Sequence, residues 1–207
     1  QGAYPIRSGW NGRMEAEMVA RQHGVRRLLE AGVRIMDPSH CYVGPRVKVG
    51  EGTVLLPGTI LRGETVIGRD CEVGPNAMVR DCIVGKDTTI NASQVNESTI
   101  GSHTTVGPFT YVRPNCRIGD HCRVGDFVEV KNSVIGDGTK ISHLTYVGDS
   151  DVGQRVNFGC GTVTTNYDGH KKHRCTIGDD VFLGCNTNLI APVTVEDRAY
   201  TAAGSTV

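Results

Sequence analysis

An aliphatic residue returns every sixth position through most of this chain. It falls at Val43, Val49, Leu55, Leu61, Ile67, Val73 and Val79, and after some five-residue steps it resumes at Ile100, Val106, Val112, Ile118, Val124 and Val130. Further on it runs Ile177, Leu183, Leu189 and Val195. Four residues after each aliphatic the side chain is small or β-branched, as at Thr53, Thr59, Thr65, Ala77, Thr104, Thr110, Thr139, Thr145, Thr162, Thr187 and Ser205, and the residue directly after it is often Gly. A six-residue period marks a parallel β-helix, an all-β solenoid in which each short strand is one side of a triangular coil. The aliphatic and the small residue point inward, glycine relieves the corners, and three repeats complete a coil of about 18 residues, with coils about 4.8 Å apart. A sandwich of alternating strands would show a period of two without the six, and is excluded.

The composition agrees. Aromatic residues make up 5% of the chain and 27 residues are glycine, which speaks against a conventional globular core. Formal net charge is zero, so nothing points to nucleic acid or a membrane surface, and no apolar stretch or signal peptide points to a membrane. The eight cysteines form no CxxC; Cys41, Cys71, Cys116, Cys122 and Cys175 share one small-residue slot of the repeat, which suits buried thiols in a reducing cytoplasm. The chain begins with Gln1 and stops at Val207 in mid-repeat, as a fragment or processed form would. Ahead of the repeats, Met14, Met18, Val25 and Leu29 fall at helical spacing before Gly32 and Pro38, predicting one or two short helices that lead into or cap the solenoid.

Stacking turns the repeat into a map. Arg113 and Lys131 each follow an aliphatic by one and are eighteen apart, so two cations share a corner on successive coils. Either both splay into solvent, or they hold a phosphate that relieves a repulsion of about 1 kcal/mol. Asp126, His143 and Cys160 each follow an aliphatic by two and form a second column, with Tyr146 on the same strand as His143. An exposed histidine beside a carboxylate, near paired cations, suits a general base next to a phosphorylated substrate. His103 and His121 also stack; they are surface histidines or, less economically, part of an intersubunit metal site whose next position would be Gly138. Between Thr164 and Ile177 thirteen residues stand where two beats would take twelve, with no aliphatic in the middle, so a polar segment is extruded there.

The stretches "GPFTYVRP", "GDFVEVK", "SHLTYVGD", "VNFGCGTVTTNYDG" and "DDVFLGCNTNLIAPV" occur in that order. With them the chain, from about Asn11 to Val207, resembles the C-terminal part of the bacterial bifunctional N-acetylglucosamine-1-phosphate uridyltransferases/glucosamine-1-phosphate acetyltransferases. The resemblance implies a left-handed parallel β-helix over 39–207 that assembles as a cytoplasmic homotrimer. It also implies acetyl transfer from acetyl-CoA to the 2-amino group of glucosamine 1-phosphate, on the route to UDP-N-acetylglucosamine, peptidoglycan and lipopolysaccharide. His143 would be the base; Arg113, Lys131, Tyr146 and Asn157 would hold the sugar phosphate. Cys160, Asn166, Tyr167, Lys172, Cys185 and Ala203 would meet acetyl-CoA, with the extruded loop reaching toward a neighbouring subunit. Residues 1–38 would be a linker helix and a remnant of the uridyltransferase domain, in which Asn11 matches a residue that helps hold magnesium and nucleotide; without the rest of that domain no UDP-N-acetylglucosamine should form.

The chain departs from the family pattern at Cys160, where Ala is usual, at Cys185, where Ser is common, and at Asp126, where Asn is usual. On this resemblance the family's C-terminal tail, which adds an arginine to the cofactor site, would be absent. Three other readings fit the repeat alone: a hexapeptide acyltransferase with a different acceptor, a zinc-dependent trimeric hydratase, and a non-catalytic solenoid that trimerises a partner domain.

Overall fold

A computed structural model describes residues 7–207; residues 1–6 of the 1–38 segment lie outside it. The described chain is one helix followed by a parallel β-solenoid. Its strands form three nine-stranded sheets in which every strand pairs with the strand three further along, so each sheet is one side of a triangular coil. The beat residues Leu55, Val73, Ile90, Val106, Val124, Ile141, Phe158 and Leu183, aliphatic but for Phe158, fall in register on the first side and are all buried. Strands this short survive because all but those at the ends of the sheets are paired on both edges, and each hangs its inward side chain in one continuous core.

The small-residue slot has its own chemistry. Thr53 Oγ1 donates to the Gly68 carbonyl at 2.8 Å and Thr104 Oγ1 to Gly119 at 2.9 Å, each one coil further on. Cysteine replaces threonine without losing the donor: Cys71 Sγ reaches the Gly85 carbonyl at 3.1 Å and Cys122 Sγ that of Gly136 at 3.2 Å. Cys82 occupies the same slot two residues before Val84, where a five-residue step hides it from the six-residue count. All eight cysteines are free, and no buried side-chain nitrogen or oxygen among the described residues lacks a hydrogen-bond partner.

Glycine's part differs from the expectation. The glycines directly after the aliphatic are mostly not left-handed; they let successive coils touch. A Cβ on Gly50 would come within 2.5 Å of the Arg69 nitrogen. The turn itself is made two residues later by a residue with positive φ, such as Asp70, Asn76, Phe109, Phe127 or Leu144. In the five-residue steps that left-handed residue comes one position sooner, as at Asn132 and Asp149.

The N-terminal segment is a single helix, Trp10–Glu30, rather than two short ones. Only Gly12 and Leu28 of it are buried; Met14, Met18 and Leu29 are about half exposed, so the helix lies along the first coils without burying an apolar stripe. Among the described residues no helix is long and apolar enough to cross a membrane.

Candidate functional site

Two corners flank the second side of the solenoid. On the corner entering it, Asp126 is the registered partner of His143, and the same register carries the column on through Cys160, Cys185 and Ala203. The column climbs four coil steps, roughly 19 Å. Asp126 Oδ2 lies 3.4 Å from His143 Nδ1, an ion-pair distance just beyond good hydrogen-bond length. Beside this column the left-handed Phe109, Phe127 and Leu144 form a ladder of exposed apolar side chains, 61, 60 and 60% exposed, with the two phenyl rings stacked at 5.6 Å.

On the corner leaving the second side, Arg113 and Lys131 stack as the count predicts, the Arg113 amide donating to the Val130 carbonyl. Neither cation stands alone. Arg113 Nη1 bonds Glu129 Oε1 at 2.9 Å, which raises the guanidinium pKa, and Lys131 Nζ bonds Asp149 Oδ2 at 2.8 Å. Tyr146 lies on the second side, in register with Glu129, and is therefore round the Leu144 corner from His143 rather than on its strand. The next position of the cation column is Gly148, where a Cβ would collide with the Tyr146 hydroxyl; glycine leaves the space that the phenol fills. The two corners are about 15 Å apart along the extended chain, with Tyr146 between them.

The extruded loop is built on one step, not two. Thr164 fills the inward position on the second side and Ile177 the next one on the third, so seven residues more than a normal step are pushed out. They close into a hairpin: Tyr167 bridges Lys172, and the His173 amide donates to the Asn166 carbonyl at 2.8 Å. Asp168 is its knot, accepting from the His170 and Lys171 amides at 2.8 Å each and facing His173 Nε2 at 2.6 Å. Those amides, the Lys171 one foremost, and His173 hold its pKa down at about 2. Asn166 at the root is buried and turned inward, its amide nitrogen 3.3 Å from the Tyr146 hydroxyl and 2.5 Å from Asp149 Oδ2. Lys172 faces Lys131, and that neighbouring cation depresses its pKa. Asn166 and Lys172 thus converge on the cation corner of their own chain, while Tyr167, Cys185 and Ala203 face solvent and Cys160 is partly covered.

Asn157 is not brought to this group. It lies on the first side, in register with Lys140 and Phe182. Asp149 and Glu129 are residues that sequence reasoning missed. The signal for Asp149 was the pair of five-residue steps after Val130 and Val147, which place a left-handed acidic residue directly above Lys131 and Asn132.

Asn11 is exposed in the first helical turn, and among the described residues no three His, Cys, Asp or Glu side chains converge on a metal position. The residues present do not fit a magnesium site. His103 and His121 stack at 4.8 Å with their rings nearly parallel, 8° apart, and Asp87 lies 3.7 Å from His103. Two grooves of about 570 and 580 Å³ run along the helix, past Met18 and Arg21, and neither includes a residue of the two corner columns.

A parallel solenoid of hexapeptide repeats, carrying an exposed histidine column and a cation corner, defines a protein of the bacterial hexapeptide transferase class. The family model described as bacterial transferase hexapeptide (six repeats) matches residues 97–132. By sequence the chain belongs with the bifunctional GlmU proteins. It is 51% identical over 193 residues to bifunctional protein GlmU of Geobacillus sp. (strain WCH70), a match covering 93% of this chain and 42% of that protein. It is 46% identical over 213 residues to bifunctional protein GlmU of Clostridium kluyveri (strain ATCC 8527), covering all of this chain and 47% of the relative. The chain therefore spans less than half the length of these relatives. Among solved structures, the UDP-N-acetylglucosamine acyltransferase of Francisella novicida superimposes with a TM-score of 0.52 at 12% identity, over 79% of this chain and 66% of that one, which is a likeness of fold.

Proposed function

We propose that this chain transfers the acetyl group of acetyl-CoA to the 2-amino group of glucosamine 1-phosphate, working as a cytoplasmic homotrimer. The observation that carries the reading is the pairing of a histidine backed by a carboxylate on one corner with three converging cations, Arg113, Lys131 and Lys172, on the next. An acceptor with a phosphate at one end and an amine at the other matches that division of labour. The relatives are named bifunctional, and the chain matches less than half of their length, which suits one of two activities; residues 1–38 are read as a linker helix with a remnant of the other domain.

The chemistry follows from the geometry. Asp126 faces Nδ1 of His143, which favours the tautomer with its proton there and leaves the Nε2 lone pair for the substrate. As the amine nitrogen bonds to the thioester carbonyl carbon, Nε2 takes the proton from the attacking nitrogen; the C–S bond then breaks and the sulfur leaves as thiolate, which the imidazolium can protonate. The developing oxyanion needs open donors. On the corner between the third and first sides, the amides of Ser102, Asp120, Gln154 and Asp179 are each taken by an aspartate carboxylate of the next coil. At the corresponding position of the histidine corner stand Cys160 and Cys185, beneath Cys and Ala rather than Asp, and their amides donate to no acceptor among the described residues. These are the two N–H groups we assign to the oxyanion.

Assembly as a trimer is supported by the exposed Phe109–Phe127–Leu144 ladder beside His143 and by the position of Asn157 on a different side from Arg113 and Lys131. A neighbour's first side laid against this second side would complete the substrate group and cover the ladder. The deciding experiment is thiol release from acetyl-CoA with a panel of amino sugars, together with sedimentation. The reading requires a trimer that acetylates glucosamine 1-phosphate in strong preference to glucosamine. Equal use of both sugars would point to a different acceptor, and a fully active monomer would remove the shared site.

A further inference from the structure

We propose that Asp149 is the positioning residue of the cation corner, holding Lys131 and Asn166 where they can receive an anionic group. The inference rests on the reading of that corner as the phosphate end of the acceptor.

Asp149 is the best-covered carboxylate in the region. Its side chain is 7% exposed and that of Lys131 15%. Both oxygens are occupied: Oδ1 accepts from Asn132 Nδ2 at 2.6 Å, and Oδ2 accepts from Lys131 Nζ at 2.8 Å and Asn166 Nδ2 at 2.5 Å. The backbone of the same residue ties the far end of the loop, its carbonyl accepting from the Cys175 amide at 3.2 Å, while its own amide donates to the Lys131 carbonyl at 2.9 Å. With three of its roughly four acceptor sites taken by protein donors and its side chain 7% exposed, it has little to offer a substrate directly and acts through its neighbours. Lys131 has three N–H donors and gives one to Asp149, leaving others to turn outward.

The same construction lower in the solenoid shows what is special here. Arg80 and the left-handed Glu97 of the next coil stand in the same relation, at 2.8 Å, yet are 43 and 47% exposed, a surface pair of little consequence. At Asp149 the root of the extruded loop covers the pair. Burial alone would lift the carboxyl pKa, but hydrogen bonds from Asn132, Lys131 and Asn166 outweigh it and keep the group ionised. A fixed negative charge among Lys131, Lys172 and Arg113 also lets the cations stay close while the corner is empty, so an arriving phosphate meets donors already in place.

The test uses the whole chain, kinetics, and inorganic phosphate as a probe that does not depend on turnover. Asn tolerates the left-handed backbone of position 149, so Asp149→Asn keeps the shape and removes the charge. It is expected to raise KM for glucosamine 1-phosphate about tenfold with kcat within about threefold, and to weaken phosphate binding by calorimetry to the same degree. On a Lys131→Ala background the same change should have a clearly smaller effect, because the cationic one of its two routes of action is gone and only Asn166 is left to it. A folded Asp149→Asn protein with unchanged KM and phosphate affinity would overturn the proposal, as would an undiminished effect in Lys131→Ala, which would mark Asp149 as structural only. Should Asp149→Asn fail to fold, Asn132→Gly takes one donor from the carboxylate, keeps the left-handed corner and is expected to raise KM about threefold; no change there also refutes it. Wild type that binds phosphate but acetylates no amino sugar would sink the reaction assigned above and leave the role of Asp149 to the binding arm; wild type that binds no phosphate sinks the positioning role itself.

Discussion

Asp126 Oδ2 lies 3.4 Å from His143 Nδ1, and the two residues are registered partners on adjacent coils. A flexible surface contact would not fix an imidazole, but both residues sit on strands paired through the solenoid, so the ring's edge is set by the backbone. His143→Ala should lower kcat by about 10²–10⁴, the range of a lost general base, with little change in phosphate binding. Asp126→Asn should keep most activity, because an amide oxygen can still accept from Nδ1–H, whereas Asp126→Ala should cost about tenfold. Steady-state kinetics decides it: a His143→Ala enzyme within threefold of wild type would rule out this base.

Arg113 and Lys131 act on the other end of the acceptor. Arg113→Ala and Lys131→Ala should each raise KM for glucosamine 1-phosphate by about 10–100-fold and leave kcat nearly alone, since a remote phosphate contact is made equally in ground and transition states. The slow reaction with unphosphorylated glucosamine should be indifferent to both. Equal losses on the two sugars would show that the cations serve the fold instead.

Gly148 tests the packing between the corners. A Cβ there would drive into the Tyr146 hydroxyl and come within 2.8 Å of Asn166 Nδ2. Gly148→Ala should push the phenol outward, raise KM for the sugar phosphate about fivefold or more and cost about 1–3 kcal/mol of stability by denaturant melting. Wild-type KM with wild-type stability would mean that Tyr146 has room the structure does not show.

Much of this was legible in the sequence because a solenoid converts sequence spacing directly into distance. The period set the sides, and a difference of eighteen placed Arg113 over Lys131. The same arithmetic failed where the coil departs from eighteen. Five-residue steps moved Cys82 and Asp149 out of frame, and an inward Thr164 in place of an aliphatic made one step look like two. Glycine misled differently: its role at the position after the aliphatic is close approach between coils, which a single-coil view of corners cannot reveal. Asn157 fell into the phosphate group by resemblance alone, and no spacing within one chain brings it there.

The loop should keep its shape far into acid. The Lys171 amide, His173 and the His170 amide bind the ionised Asp168, whose folded pKa of about 2 lies below its ordinary value of 3.8. A depressed carboxyl contributes stability above the ordinary pKa and loses it as pH falls, so the hairpin should loosen between about pH 4 and pH 2 and not before. Carboxyl-carbon NMR titration should give a midpoint near 2 for Asp168. A midpoint near 3.8 would mean that the hairpin is not closed in solution.

The cysteines separate by burial and by corner. Cys41, Cys71, Cys82, Cys116, Cys122 and Cys175 are buried, and desolvation pushes their thiols up, that of Cys82 to about 11. A thiolate is the reactive form, so these six should stay silent to a thiol reagent until the chain unfolds. Cys185 is exposed and Cys160 partly covered, both on the His143 column. The native protein should therefore react quickly at one thiol, more slowly at a second, and expose six more in denaturant. Because Cys185 lies two coils above His143, about 10 Å away, the imidazole cannot reach its sulfur to make it a nucleophile. Acetyl transfer should be direct: Cys185→Ser should keep most activity, modification of Cys185 should block it by filling the pocket, and acetyl-CoA should protect. Mass spectrometry of the quenched steady state should find Cys185 unacetylated; an acetyl-cysteine that forms and decays at the catalytic rate would instead establish a two-step mechanism.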